Sequence, residues 1–511
     1  MNQVHLIFGP PGNGKTSYLL QRMEELLDKG VVPSEIGFFS FTNKASDEAK
    51  TRAMAKFPQW RREEFLYFRT LHSLAFDSIG GTSAFPCMKT EDWKKLGNAL
   101  GEELSEAAAN FWDDNYEYSG TTKGDKMKSI FDLSRLWKKT LRQTWEEFSW
   151  DEVSFAEADL FKRSIETYKR SYNVIDFCDM LEIAIHKDRL PKFEALFIDE
   201  AQDLSSLQWD LVEKLIPKSK VTFIAGDDDQ AIFRWSGADV NRFINFPGTR
   251  TVLKQSYRVP TKIANFAKSL VSPITNRVKK EWQPREAEGS VTWHHSFSPQ
   301  SLNMRQGTWM VLVRNNYQLF ELAQTLLDEG YYFTSKVKLI RPESLQAVGI
   351  WERLRAGASI TLEEAQCVYE VLATGKSVIR GSKAALERAK EKQFDYELLR
   401  KQFGLLRSKE EVWYIALDRL TDREKTYFRE CRKNNERILS VPRIVLSTIH
   451  GVKGGEAENV VLFSDLSKKV WEAYEQNHDD EHRVFFVGAT RAKSALHIIL
   501  PQTKYFYDPI T

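Results

Sequence analysis

Two short segments carry residues whose types and spacing suit the transfer of a phosphoryl group. The first is GPPGNGKT, Gly9 to Thr16. Gly9, Gly12 and Gly14 let the backbone turn so that its N–H groups face bound phosphates, with Pro10, Pro11 and Asn13 completing the loop and Ser17 following it. The apolar run VHLIF (Val4 to Phe8) precedes the loop and a helical pattern follows it. That strand, loop and helix order is the setting in which such a loop cradles a nucleoside triphosphate, the helix N-terminus adding partial positive charge. Lys15 then reaches the β- and γ-phosphates, and the Thr16 hydroxyl holds Mg²⁺. The second segment is FIDEAQD, Phe197 to Asp203, a carboxylate pair leaving a buried strand. Asp199 is expected to bind Mg²⁺, and Glu200 to orient and deprotonate the attacking water. Alone, such a pair is usually a solvated strand end; beside a phosphate loop it points to hydrolysis of a triphosphate.

These residues need a scaffold that brings them together. Short apolar runs recur between helical stretches: VHLIF, IGFFSF, EALFID and VTFIAGD, then WMVLVR, RIVLSTIH, NVVLFSD and LHIILP. Bounded by turn residues, they read as buried parallel strands of two α/β halves. Two mainly helical stretches interrupt the halves. The chain therefore divides into a first half of residues 1–79 and 173–251 with an insertion at 80–172, and a second half of 252–345 and 438–511 with an insertion at 346–437.

Composition narrows the function classes. Of 511 residues, 42% are hydrophobic and 28% charged, as in a folded globular protein. The formal charge is only +2, so a nucleic-acid surface must be a local patch. Basic stretches at Lys123 to Arg142 and Lys376 to Lys409 are candidates for such patches, or plain solvated helix faces. Cys87, Cys178, Cys367 and Cys431 lie far apart, against a zinc site or disulfide framework. With no signal peptide or long apolar run, a cytoplasmic protein without membrane partners is expected.

Further blocks recur in a family's order: FTNKASDEAKTR (Phe41 to Arg52), TLHSLAF (Thr70 to Phe76), GDDDQAIFRWSGAD (Gly226 to Asp239), QSYR (Gln255 to Arg258), VRNN (Val313 to Asn316), STIHGVKGGE (Ser447 to Glu456) and FVGATRA (Phe486 to Ala492). With these the chain resembles the UvrD/Rep/PcrA-like superfamily 1A DNA helicases. The resemblance implies an α/β protein of two RecA-like P-loop motor domains, each carrying a mainly helical inserted subdomain, with ATP and Mg²⁺ between them. It assigns Arg258 and Arg491 to the transferred phosphate, Gln230 to sensing the γ-phosphate, Tyr257 to stacking on the base and Glu456 to the ribose hydroxyl. Phosphoryl transfer needs such donors from both sides of a cleft.

The same resemblance places Phe41, Phe233 and Trp235 in base-stacking pockets, and Thr42, Asn43, Lys44, His72, Arg314, Thr448 and His450 near a single strand. Stacking faces and phosphate donors are what grip single strands without sequence preference. An isolated Phe is more often core than platform.

The chain departs from the family in several places. Only eight residues precede Gly9, so the usual Gln-containing segment that reads adenine is expected to be missing, and Ser17 stands where an Arg is common. The second insertion is short for the family. The wedge that splits the duplex is expected between Asp465 and Asp479, with Trp471 and Tyr474 as candidates. No nuclease block is expected. The implied activity is ATP-driven 3′ to 5′ stepping along single-stranded DNA with unwinding at junctions of single and double strand. Its rivals are a translocase that strips proteins from DNA and unwinds little, and a regulator whose ATP site only switches its grip. Nothing in the sequence reads a ribose 2′-hydroxyl, so RNA stays open as a substrate.

Overall fold

Strand β1 (Gln3–Phe8) opens the first of two parallel sheets, followed by β2 (Ile36–Phe39), β3 (Phe68–Arg69), β4 (Phe193–Ile198), β5 (Ser219–Gly226) and β6 (Thr249–Val252). The computed structural model describes residues 3–40, 43–105, 122–148, 152–438 and 440–508. Phe41 and Thr42 therefore lie outside the described residues, and Asn43 and Lys44 are placed only as the start of the helix Asn43–Lys56.

The first sheet has the order β3-β2-β4-β5-β1-β6, every pair parallel. Its central strands are apolar on both faces because helices cover both, as parallel crossovers require. Alternation sorts the side chains: Leu6, Phe8, Leu196 and Ile198 enter one core, and Ile7, Ala195, Phe197 and Ala225 the other. Register then fixes the site. Phe8 pairs with Gly226 and Ile198 with Ile224, so Gly9, Asp199 and Asp227 leave adjacent strands side by side. Loops at the carboxyl ends of parallel strands are where such folds bind ligands.

Between the sheets, β7 (Gln255–Pro260) pairs with β8 (Gln283–Arg285). The second sheet comprises β9 (Ser290–His294), β10 (Trp309–Val313), β11 (Phe333–Ser335), β14 (Ile444–Thr448), β15 (Ala457–Phe463) and β16 (Ala492–Ile499), while β12 (Ile360–Thr361) and β13 (Gln393–Phe394) form a separate antiparallel ribbon. Its order is β11-β14-β10-β15-β16-β9, again all parallel. Pairing of Val313 with Thr448 sets Arg314 beside Ile449, and pairing of Ala457 with Ala492 sets Glu456 beside Arg491.

Each sheet is interrupted once by helices with a core of their own. Between β3 and β4 the helices Thr90–Leu100, Lys123–Leu136 and Phe155–Tyr172 pack around Trp93, Phe131 and Phe161. Between β11 and β14 the helices Pro342–Arg355, Leu362–Glu370 and Asp422–Lys433 close over Trp351, Tyr369 and Phe428. Some residues of both basic stretches are taken up in ion pairs. Arg135 bonds Asp176, Asp179 and Glu182, Lys123 bonds Glu157, and Arg407 bonds Glu411 and Asp418. Among the described residues no helix is long and apolar enough to cross a membrane.

Candidate nucleotide and nucleic-acid sites

The phosphate loop turns through left-handed backbone at Gly12 (φ 66°) and Gly14 (φ 76°), a region closed to most side chains. It delivers Lys15 as the first residue of the helix Lys15–Leu27. The Lys15 ammonium is buried and bonds the Gly9 carbonyl at 2.9 Å and Asn13 Oδ1 at 3.4 Å. From β4, Asp199 Oδ2 accepts the Thr16 hydroxyl at 2.8 Å. That pair would offer two hard oxygen donors, the donor type that fits Mg²⁺. Among the described residues no cluster of three His, Cys, Asp or Glu competes for a metal.

Glu200 stands next to Asp199 in left-handed backbone (φ 53°), and the Gln202 amide bonds its carboxylate at 2.5 Å. The two acids separate electrostatically. Burial and the charge of Glu200 push Asp199 up to about 6. Burial also works against the Glu200 anion, but Lys453 and Lys15 outweigh it and hold that carboxyl below its ordinary value. Glu200 thus stays ionised, as a base for water must.

The second half reaches this site directly. Ser256 Oγ bonds the Pro11 carbonyl at 2.7 Å, and the Tyr257 N–H bonds the Gly12 carbonyl at 2.8 Å. The Tyr257 ring is 70% exposed at the loop, open to a stacking partner. Arg258 Nε bonds Glu456 at 2.7 Å, and Lys493 holds the other Glu456 oxygen at 3.1 Å. Arg491 is buried. It donates to the Val487 carbonyl at 3.0 Å, the Gly455 carbonyl at 3.2 Å and Gln230 Oε1 at 2.8 Å. Burial first, and neighbouring Arg258 second, pull its guanidinium down to about 9. Gln230 is fixed at its other end by Asp227, whose Oδ2 accepts the amide at 2.6 Å. Beside the phosphate loop, Arg52 Nη1 lies 3.5 Å from Ser17 Oγ.

Lys453, which the sequence reading passed over, ties these parts together. Its ammonium bonds both oxygens of Asp203 at 2.6 Å and the Gln230 carbonyl at 2.8 Å, and lies 4.8 Å from the centre of the Phe233 ring. Its place inside STIHGVKGGE was the available signal. Burial, against the pull of Lys453, pushes Asp203 up to about 7.

On the proposed strand path, Phe233, Trp235 and His450 form one cluster, with ring centres 6.1 to 6.3 Å apart. His450 is buried and kept neutral, its pKa lowered first by burial and then by Arg314 and Lys453. Thr448 is buried and its Oγ1 accepts the Gly451 N–H at 3.2 Å. Arg314 forms a fork with Glu481 through two bonds of 2.7 Å. His72 packs edge-on to Phe177 with ring centres 6.2 Å apart, and burial lowers it to about 4. The stretch from Asp465 to Asp479, expected to carry a wedge, contains the helix Lys468–Gln476. Tyr474 lies in the core of the second half, and Trp471 packs on Tyr505 with ring centres 5.5 Å apart. Both rings serve packing there rather than projecting from a loop.

Comparison with known proteins agrees with the geometry. The UvrD/REP helicase N-terminal domain family matches residues 1–250, and the UvrD-like helicase C-terminal domain family matches residues 426–503. An ATP-dependent DNA helicase PcrA of Leuconostoc citreum is 28% identical over 316 residues, covering 57% of this chain and 40% of its own. A protein of the same description from Staphylococcus epidermidis is 24% identical over 367 residues, covering 64% of this chain and 48% of its own. A probable DNA helicase of Mycoplasma pneumoniae is 24% identical over 385 residues, covering 66% of this chain and 70% of its own. The chain thus spans less than half the length of the two PcrA relatives. With both family domains in order and two parallel sheets facing one phosphate loop, the chain belongs to the UvrD/Rep/PcrA-like superfamily 1A helicases, built on two RecA-like domains.

Proposed function

We propose that this protein hydrolyses ATP to move along single-stranded DNA, 3′ to 5′, and opens duplex at junctions. The first motor domain comprises residues 1–79 and 173–251, and the second 252–345 and 438–511, with insertions at 80–172 and 346–437. One observation carries the reading: Arg491 of the second half bonds Gln230 of the first at 2.8 Å, beside Lys15, Asp199 and Glu200. Donors from both sides of a cleft are what a phosphoryl transition state requires, so hydrolysis depends on how the halves meet. The loop that carries Gln230 continues within a few residues to Phe233 and Trp235, which stack on bases. Lys15 holds the phosphates, Thr16 and Asp199 would hold Mg²⁺, which would offset phosphate charge when bound, and Glu200 takes the proton of the attacking water.

A second reading has support in the helix Lys468–Gln476, within the stretch where a wedge is expected, where Tyr474 is buried and Trp471 is partly buried against the core. A motor without a projecting wedge translocates and displaces bound proteins but separates strands slowly.

The test is ATP hydrolysis and strand displacement on duplexes with a 3′ DNA tail, a 5′ DNA tail or a 3′ RNA tail. The 3′ DNA tail is expected to stimulate hydrolysis and support opening; opening from the 5′ tail alone overturns the polarity. Stimulated hydrolysis and translocation without strand separation select the second reading. Hydrolysis indifferent to every tail removes the motor assignment.

A further inference from the structure

The acidic turn after β5 carries Asp227, Asp228 and Asp229 in succession, all buried. Three adjacent carboxylates in a protein interior repel one another and each loses hydration, so the arrangement stands only with cations supplied to it. Both cations come from residues that follow β7. The Lys280 ammonium, with 0% side-chain exposure, lies 2.8 Å from Asp227 Oδ1 and 2.9 Å from Asp229 Oδ2, and also bonds Asp228. Arg277 adds a fork to Asp229 at 2.7 and 2.6 Å. Burial alone would lower the Lys280 pKa, and the three aspartates more than reverse that, so the ammonium stays charged.

Lys280 is anchored in the second half. Two residues on, Trp282 sits in the core beneath the second sheet, with Lys268 bonding its carbonyl at 3.0 Å. The carboxylates end a strand of the first half. Asp227 in turn holds Gln230 through the 2.6 Å amide bond, and its N–H donates to Gln202 Oε1 at 2.9 Å, while Gln202 bonds Glu200. A single buried cation of one half is thereby two bonds from the γ-phosphate sensor and three from the water-activating carboxylate. The same loop runs on to Phe233 and Trp235.

We propose that Lys280 is a positioning residue that binds the start of the 227–235 loop to the second half, so that DNA-driven closure is transmitted to Gln230. This rests on the DNA-stimulated ATP hydrolase reading above. A loop held at its first residue by the second half moves with it. Without Lys280 the loop keeps the Arg277 fork to Asp229 and the bonds of Lys453 and Arg491 to Gln230, but loses the tie at Asp227, the residue that holds the Gln230 amide, so the coupling of Gln230 to DNA is weakened.

The experiment compares basal hydrolysis with hydrolysis at saturating oligodeoxythymidine for the parent, for Lys280→Arg, and for Lys280→Met combined with Asp228→Asn, which keeps the cluster's net charge unchanged. In the combined variant, stimulated kcat is expected to fall about tenfold or more while basal kcat stays within about threefold. Simple loss of folded protein lowers both rates together, and the ratio is then unmoved. Lys280→Arg keeps the charge, but a planar guanidinium cannot bring one nitrogen to three carboxylates, so a ratio reduced by about threefold is expected. A stimulated-to-basal ratio within about twofold of the parent's in the combined variant overturns the proposal. If that variant does not fold, an unchanged ratio in Lys280→Arg overturns it alone. A parent that DNA does not stimulate defeats the underlying reading instead, and is recognised because no variant is needed to see it.

Discussion

Gly12 and Gly14 both adopt positive φ, yet alanine should hurt at the two positions by different amounts and for different reasons. A Cβ at Gly14 meets only Ser17, its Cβ at 3.7 Å and its Oγ at 3.9 Å, both ordinary contacts, so Gly14→Ala carries chiefly the left-handed backbone cost of about 1 to 2 kcal/mol. A Cβ at Gly12 falls 2.3 Å from Arg258 Cβ and 3.2 Å from the Arg258 nitrogen. Those atoms belong to the backbone and its first carbon, and cannot swing aside. Gly12→Ala therefore adds an overpacking cost of about 1 to 3 kcal/mol to the same backbone strain. The extra cost falls on the contact between halves, which can part to relieve it. It should appear in turnover, where Arg258 must reach the phosphate, and scarcely in the unfolding midpoint. In DNA-stimulated hydrolysis, kcat/KM is expected to fall roughly 5- to 30-fold in Gly14→Ala and a further 5- to 150-fold in Gly12→Ala. Equal losses, or a milder Gly12→Ala, would refute the view that the loop and Arg258 meet across a tight cleft.

Three further outcomes are expected. Trp235→Ala should reduce DNA-stimulated hydrolysis more than basal hydrolysis, because stacking contributes about 1 to 3 kcal/mol per base only when DNA is bound; an equal fall in both rates makes Trp235 a packing residue. Glu200→Gln should retain ATP and DNA binding in equilibrium titrations while hydrolysis falls by about 10²-fold or more, and Lys15→Ala should abolish nucleotide binding or turnover; near-normal turnover in Glu200→Gln removes the base from its role. GTP and dATP should support DNA-stimulated hydrolysis within about tenfold of ATP in kcat/KM, because the phosphate, Mg²⁺ and ribose contacts do not distinguish bases and Tyr257 stacks on any of them; a preference for ATP beyond about a thousandfold shows a base-reading group elsewhere.

The parts of this protein most legible in sequence were those where chemistry forces residue type and neighbours together. A phosphate loop needs glycine where the chain turns left-handed, and Gly12 and Gly14 are where it does so. The eight apolar runs read as strands are strands, because parallel strands covered on both sides must be apolar throughout. The edge strands Phe68–Arg69, Thr249–Val252, Ser290–His294 and Phe333–Ser335 escaped notice. They are short and polar, with one flank unpaired, so no apolar run announces them. Contacts across the cleft were hidden for another reason. Lys453 and Asp203 lie 250 positions apart, and neither residue type alone says that a pair will be buried. Likewise, Trp471 and Tyr474 share the composition of a wedge and of a packed helix, and only the surrounding rings decide between them.

Lys15, Arg258 and Arg491, the three cations assigned to the phosphates, differ in what a phosphate would have to displace. Lys15 bonds carbonyl oxygens and an amide, and Arg491 bonds carbonyls and the Gln230 amide, all neutral acceptors. Arg258 alone is engaged by a carboxylate, Glu456, which Lys493 also holds. Charge-assisted bonds are roughly twice as strong as neutral ones, so a phosphate oxygen wins Lys15 and Arg491 more readily than Arg258. Arg491 gains most, since it is buried with its charge disfavoured and an anion relieves that directly. Turning Arg258 from Glu456 toward the phosphate costs an ion pair unless Glu456 finds another donor, and Lys493 and a ribose hydroxyl are the two within its chemistry. On the proposed ATP hydrolase reading, capture of the nucleotide would fall to Lys15 and the loop amides, while engagement of Arg258 would depend on the sugar being seated and the halves aligned. Under the proposed function, hydrolysis would be tied to a fully assembled cleft instead of to phosphate binding alone, which is the order of events a motor needs if each ATP is to be used for a step.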